Sequence, residues 1–134
     1  MTLRSNDEIQ AALLAYIKSK TSITNVITST EMREDQWQGT TFTYPAIRIR
    51  MISNVPSNTN CNYNNISVSI MVFTEDASSQ NDDKIAGIIN ETLHDKSFVS
   101  NGIAFYLRTT NLIPAFRSDI RTWRSEVLMN GIVS

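Results

Sequence analysis

The sequence predicts an α+β fold in which a mixed or mainly antiparallel sheet carries two helices packed on one face. Three observations lead to this prediction. Apolar residues recur at helical spacing near 6–19 and 80–94. Elsewhere apolar and polar residues alternate, which is the period of a strand with one buried face. The elements follow the order α-β-β-β-α-β-β, and the simplest packing of that order places both helices on the same face of the sheet.

The two helices have recognisable starts. Ser5 and Glu8 have the spacing of a capping box, and an apolar stripe follows them. The acidic pair Asp82-Asp83 lies in the first turn of the second helix, where the helix dipole favours negative charge. Adjacent acids at a helix start usually face solvent, so we expect both to be exposed and neither to bind a metal.

Five segments predict strands, because they are β-branched or alternate between apolar and polar residues. In the second of them Ile47 and Ile49 alternate with Arg48 and Arg50, which predicts a wet face that is basic. The stretch 109–118, with Pro114, is expected to be irregular. The predicted strands span residues 26–31, 45–52, 66–73, 103–108 and 119–133.

Two polar connections separate these strands. The stretch 53–65 is rich in Asn and Ser and is longer than most hairpin loops, and such loops are usually functional or mobile. The stretch 31–39 is predicted to be an exposed loop, and Trp37 within it has few neighbouring residues to pack against. Trp123, among alternating residues, is expected in the core.

The composition limits the classes of function. A chain of 134 residues fits one domain, 1–134. Its 12 Lys and Arg against 13 Asp and Glu give a net charge of -1, so no basic field for sequence-specific nucleic acid binding is expected. Cys61 alone supplies no disulfide framework. We expect no membrane association, and a cytoplasmic site of synthesis, because residues 1–7 lack an apolar signal segment.

No catalytic, cofactor-binding or metal-binding residues are predicted. The four glycines are scattered singly, which argues against a phosphate-binding loop. His94 ends the second helix, where its commonest role is to bind the helix carbonyls. A small hydrolase or ligand-binding module remains an alternative, and it would require a formed pocket that places a hydroxyl or carboxylate beside His94.

Candidate assembly residues lie in the polar connections and on the basic strand faces. Trp37 is a candidate interface anchor because tryptophan is enriched at binding hot spots. The arginines either dock an acidic partner or form ion pairs within the chain. The full candidate set is Trp37, Arg48, Arg50, Asn58, Asn60, Arg121 and Arg124.

Several segments together resemble the tail terminator, or tail-to-head joining, family of long-tailed bacteriophages. After the N-terminal helix, Tyr44-Pro45-Ala46-Ile47-Arg48-Ile49 enters an alternating strand, and a second strand ends in Val72-Phe73 shortly before an acidic helix. Trp123-Arg124-Ser125 leads into a closing strand. The resemblance spans nearly the whole chain, but it contains no catalytic motif.

The resemblance implies a non-enzymatic virion protein, assembled in the host cytoplasm, that forms a hexameric ring at the head-proximal end of the tail. The ring would stop polymerisation of the tail tube and join the tail to the head, with DNA passing through it. Its partners would be other copies of the chain, the tail tube protein and a head connector or stopper protein. The free chain would be monomeric or already a ring. The alternative within the virion is a head-completion or tail-tube component.

Overall fold

A computed structural model describes residues 4–34, 43–57, 63–117 and 122–134. These residues form an α+β fold with a mixed six-stranded sheet, as the sequence predicts. The strands are β1 (Met32–Glu34), β2 (Ala46–Pro56), β3 (Asn64–Glu75), β4 (Lys96–Ser100), β5 (Ile103–Arg117) and β6 (Thr122–Val133).

The predicted helices are confirmed as α1 (Asn6–Lys18) and α3 (Gln80–Leu93), and a short helix, α2 (Thr21–Thr24), follows α1. The start of α1 departs from the usual capping box, because the Ser5 hydroxyl donates to the carboxylates of Asp7 and Glu8. None of the described helices combines the length and apolar character needed to cross a bilayer.

The sheet order is β1-β2-β3-β6-β5-β4. β1 runs parallel to β2, and every other neighbouring pair is antiparallel. β2 and β3 form the predicted hairpin, with Ile47 opposite Val72. At the centre β3 pairs with β6 over its full length, so the middle of the sheet joins distant parts of the sequence.

One hydrophobic core lies between the helices and one face of the sheet. Alternate residues of β3 form the sheet side of this core, and apolar stripes of α1 and α3 pack against them. Burial of such side chains stabilises the fold by about 1.5–3 kcal/mol each. Fully buried members from the three elements are Ile9, Leu13, Ile17, Val68, Ile70, Val72, Ile89 and Leu93.

The strand predicted at 26–31 is wrong. Ile23 and Ile27 are both buried, and the backbone amide of Ile27 donates to the carbonyl of Ile23, so this stretch turns back on the core. A single 3-10 turn (Ser29–Glu31) leads into β1, which begins one residue after the predicted strand ends. Burial of these isoleucines outweighs the local β propensity.

β4 was not predicted, and β5 is longer than predicted. β5 continues through the stretch expected to be irregular and contains Pro114. The register shifts twice within it, which marks bulges. β4 pairs with only the first part of β5, so the part that contains Pro114 is an edge of the sheet. Proline is tolerated at an edge because no neighbouring strand needs its missing amide proton.

Candidate assembly surface

The sheet face opposite the core carries an exposed apolar row. Val55 of β2 lies opposite Asn65, which lies opposite Ile132 of β6, and Ile132 lies opposite Tyr106 of β5. Val55, Ile132 and Tyr106 are all exposed. The row therefore crosses four adjacent strands on the face that the described helices leave uncovered.

A shallow groove of about 540 Å³ follows this row, and we call it the outer groove. Of the described residues that line it, Arg108 alone is charged, and its Nε lies 4.0 Å from Oδ1 of Asp95. The Tyr106 hydroxyl donates to the same carboxylate, which holds the pKa of Asp95 below its usual value. The groove is thus apolar at its centre and polar around it, a combination typical of protein interfaces.

Sequence reasoning missed the residues of this row. Val55 fell in the stretch assigned to a loop, although β2 continues as far as Pro56. The hairpin strands extend to Pro56 and from Asn64, so the connection is shorter than predicted. Continued alternation from Ile47 and Ile49 would have placed Val55 on the core face, and the β-bulge between Met51 and Ser53 turns it to the outer face.

The two arginines predicted to share a wet face differ in exposure. Arg50 is exposed on the outer face. Arg48 is 4% exposed, so the prediction of an exposed Arg48 is wrong. Its Nη1 donates to the backbone carbonyl of Glu31 at 2.8 Å, and its Nη2 lies 3.9 Å from the Glu31 carboxylate. Glu31, which was expected in an exposed loop, is buried beside Arg48.

Arg124 is half-buried on the outer face. Its Nη2 donates to Oε1 of Glu126 at 2.5 Å, and its guanidinium lies 5.9 Å from the ring centre of Phe73 and 5.7 Å from that of Phe116. The structure therefore shows Arg124 in an ion pair within the chain. The remaining candidates lie outside the described residues, and their role stays a prediction: Trp37, Asn58, Asn60 and Arg121.

The edge of β5 beyond β4 is closed at two points by side chains. The Thr109 amide donates to Nδ1 of His94 at 2.9 Å. The Ala115 amide donates to Oδ1 of Asp83 at 2.8 Å, and Pro114 beside it has no amide proton. Between these points lies the window 110–113. Side-chain caps and proline are usual protections of a sheet edge, and here they leave a short stretch open.

His94 ends α3, and its backbone amide donates to the carbonyl of Asn90, but its imidazole binds the sheet and not the helix carbonyls. Its Nδ1 accepts the Thr109 amide proton, and it lines a shallow cavity of about 350 Å³. The Thr109 hydroxyl, which lines the same cavity, donates to Oδ1 of Asn90. Since a general base needs a free lone pair and a nucleophile within reach, this geometry gives the hydrolase alternative no support.

The prediction that both acids of α3 face solvent is wrong for Asp82, whose side chain is fully buried. Its carboxylate accepts hydrogen bonds from the hydroxyls of Thr74 and Ser125. Burial raises the pKa of Asp82. Asp83 is exposed as expected. In the described part of the chain, no three His, Cys, Asp or Glu side chains cluster as metal ligands.

No family model matches the chain, and no curated protein matches it in sequence. Solved structures do match the fold. A chain from the virion of a native gene transfer agent particle superposes with a TM-score of 0.73 at 13% identity, covering 93% of each chain. A second solved chain superposes with a TM-score of 0.66 at 12% identity, covering 97% of this chain and 96% of its own. At these identities the likeness shows that the chain shares their fold over most of its length.

Proposed function

We propose that this chain is a structural virion protein that caps the head-proximal end of a long phage tail as a ring, stops polymerisation of the tube and joins the tail to the head. One observation carries the proposal: nearly the whole fold matches a chain from the virion of a gene transfer agent particle. The sequence resemblance to tail terminators supports the more specific role.

The exposed surface supports a role in assembly. The outer groove gives one face of the sheet an apolar centre, and large exposed apolar patches on soluble chains commonly mark protein interfaces. Ring formation needs two different surfaces on each copy, so that the contact repeats until the ring closes. A sheet with an uncovered face and a partly open edge provides two such surfaces.

The first experiment mixes the purified chain with purified tails assembled without it. Negative-stain electron microscopy then shows whether protein binds at one tail end, and a joining assay measures how many tails acquire heads. We expect binding at the head-proximal end and restored joining. A chain with Ile132→Lys should bind less often to tail ends, because the substitution places a charge in the apolar row. Lys84→Gln serves as a control, since Lys84 is exposed on α3.

Other outcomes would change the assignment. Tails that join heads normally without the chain would contradict the terminator role. Binding along the tube would favour a tail-tube component, and binding to heads alone would favour a head-completion component. Tail-tube and head-completion components are both virion proteins. The experiment therefore distinguishes these two roles from that of a tail terminator.

A further inference from the structure

Within the described part of the chain, the window 110–113 is a strand edge without a neighbouring strand. β5 is 15 residues long, but β4 pairs only with Ile103 to Leu107. The side-chain caps occupy the amides of Thr109 and Ala115, on either side of the window. Thr110, Asn111 and Leu112 are exposed in succession, as expected where one side of a strand is open. The hydrogen-bonding groups of such an edge can pair with an added strand.

A groove runs along this window between α3 and β5, and we call it the edge groove. It joins two cavities of about 350 and 330 Å³ that share Leu112 as a lining residue. Leu112 is 43% exposed. A side chain built on Gly87, across the groove, would meet nothing within 4 Å. The groove therefore fits an extended segment whose apolar side chain faces Leu112.

β4 of a second copy has these properties. It is an edge strand of the sheet, and its Val99 is 69% exposed, the highest value among the large exposed apolar residues of the described chain. Aligned antiparallel to β5, the incoming strand can bring Val99 opposite Leu112. Because strand residues alternate between faces, Lys96, three positions from Val99, then lies on the other face, away from Asp83. Backbone pairing at the open edge and the apolar contact between Val99 and Leu112 favour this alignment.

We propose that the edge groove of one copy binds β4 of a second copy, so that the sheet continues from one chain into the next. The proposal rests on the proposed function, since it names the contact between neighbouring copies of the ring. Antiparallel addition makes β5 of the second copy run in the same direction as β5 of the first. The edge groove of the second copy then stays free for a third, so the contact is heterologous and repeats.

Gly87→Leu tests the groove without disturbing the fold. The new side chain fills the groove, and replacing a glycine inside a helix favours the helix. Self-association, measured by sedimentation over a range of protein concentrations, should weaken by about tenfold or more, a loss typical of one blocked contact. Lys84→Leu is the matched control, because Lys84 is exposed on the same helix but lines neither cavity. Equal association of both variants would overturn the proposal.

Cross-linking tests the pairing itself. Two chains, one with Val99→Cys and one with Leu112→Cys, both with Cys61→Ser, are mixed at high concentration with a short bis-maleimide. We expect dimers that contain one chain of each kind, and Gly87→Leu in the Leu112→Cys chain should abolish them. Dimers formed equally by either chain alone, or no dimers, would overturn the proposal.

Neither measurement uses tails, so its failure can be told apart from failure of the proposed function. A chain that caps tails but gives no mixed cross-link keeps its role and loses this contact. A chain that gives the cross-link but ignores tails keeps the contact and loses the role.

Discussion

Thr74 and Asp82 are joined across the core by a buried hydrogen bond, in which the Thr74 hydroxyl donates to Oδ2 of Asp82 over 3.0 Å. The other carboxylate oxygen accepts from Ser125. Thr74 is the last residue but one of β3, Ser125 lies near the start of β6, and Asp82 is in the first turn of α3. One side chain therefore fixes the start of a helix to the two central strands.

Asp82 should make stability depend on pH. Burial raises the pKa of Asp82 in the folded chain above the usual 3.8. At pH values between the unfolded and the folded pKa, the folded chain therefore holds a proton that the unfolded chain has released. Its contribution to stability is complete below the unfolded pKa and declines as pH rises through the folded pKa. Urea unfolding at several pH values should show the stability advantage of wild type over Asp82→Asn shrinking as pH rises. Asp83→Asn is the exposed control, and an advantage that grows with pH would contradict this prediction.

Arg48→Ala should destabilise the fold strongly. It leaves the buried Glu31 without its cation, and breaking a buried ion pair typically costs about 3–5 kcal/mol. Arg50→Ala, two residues along the same strand face, should change stability by less than about 0.5 kcal/mol because its side chain is exposed. The free energy of unfolding in urea distinguishes them. Similar values for the two variants would refute the buried role of Arg48.

Gly131→Ala should also destabilise. A Cβ on Gly131 would lie 2.2 Å from the Tyr106 carbonyl oxygen and 2.6 Å from Cδ2 of Leu107, so β5 and β6 would have to separate. Overpacking of this kind typically costs about 1–3 kcal/mol. Gly87→Ala is the paired control, since its Cβ enters open space inside a helix, and it should stabilise by about 0.5–1 kcal/mol. Thermal unfolding should shift in opposite directions for the two variants.

Trp37→Ala, and separately shortening of 58–62, which spares the strand residues up to Pro56, should leave the melting temperature unchanged while reducing capture of the chain at tail ends. The expectation comes from the sequence, in which an isolated tryptophan among charges is typical of an interface anchor. Circular dichroism checks the fold and tail-end occupancy in micrographs checks assembly. Variants that unfold would show that these stretches stabilise the chain itself.

Elements with strong local periodicity could be predicted from the sequence. α1, α3 and the β2–β3 hairpin follow from apolar spacing alone, because each buries one face of a regular element. β4 could not be predicted, since five residues with Phe98 and Val99 adjacent give no clear alternation. Its position depends on pairing with β5 and on the stacking of Phe98 against Tyr16 of α1, and neither contact is local.

The candidate site could be predicted only in part for the same reason. Alternation placed Arg48 and Arg50 on one face, but it did not reveal that Glu31, 17 positions away, covers only Arg48. The outer groove requires β2, β5 and β6 to lie in register, which is a property of the sheet. The sequence indicated which side chains alternate, whereas their exposure depends on contacts made by distant segments.

The pairing of β3 with β6 also determines the stage of synthesis at which the outer groove can form. The outer groove contains residues of β6, and β3 gains its second neighbour only when β6 arrives. While the ribosome is still translating residues 122–133, a nascent chain lacks both the central ladder and the groove. Any contact through this face therefore has to wait until translation has passed β6.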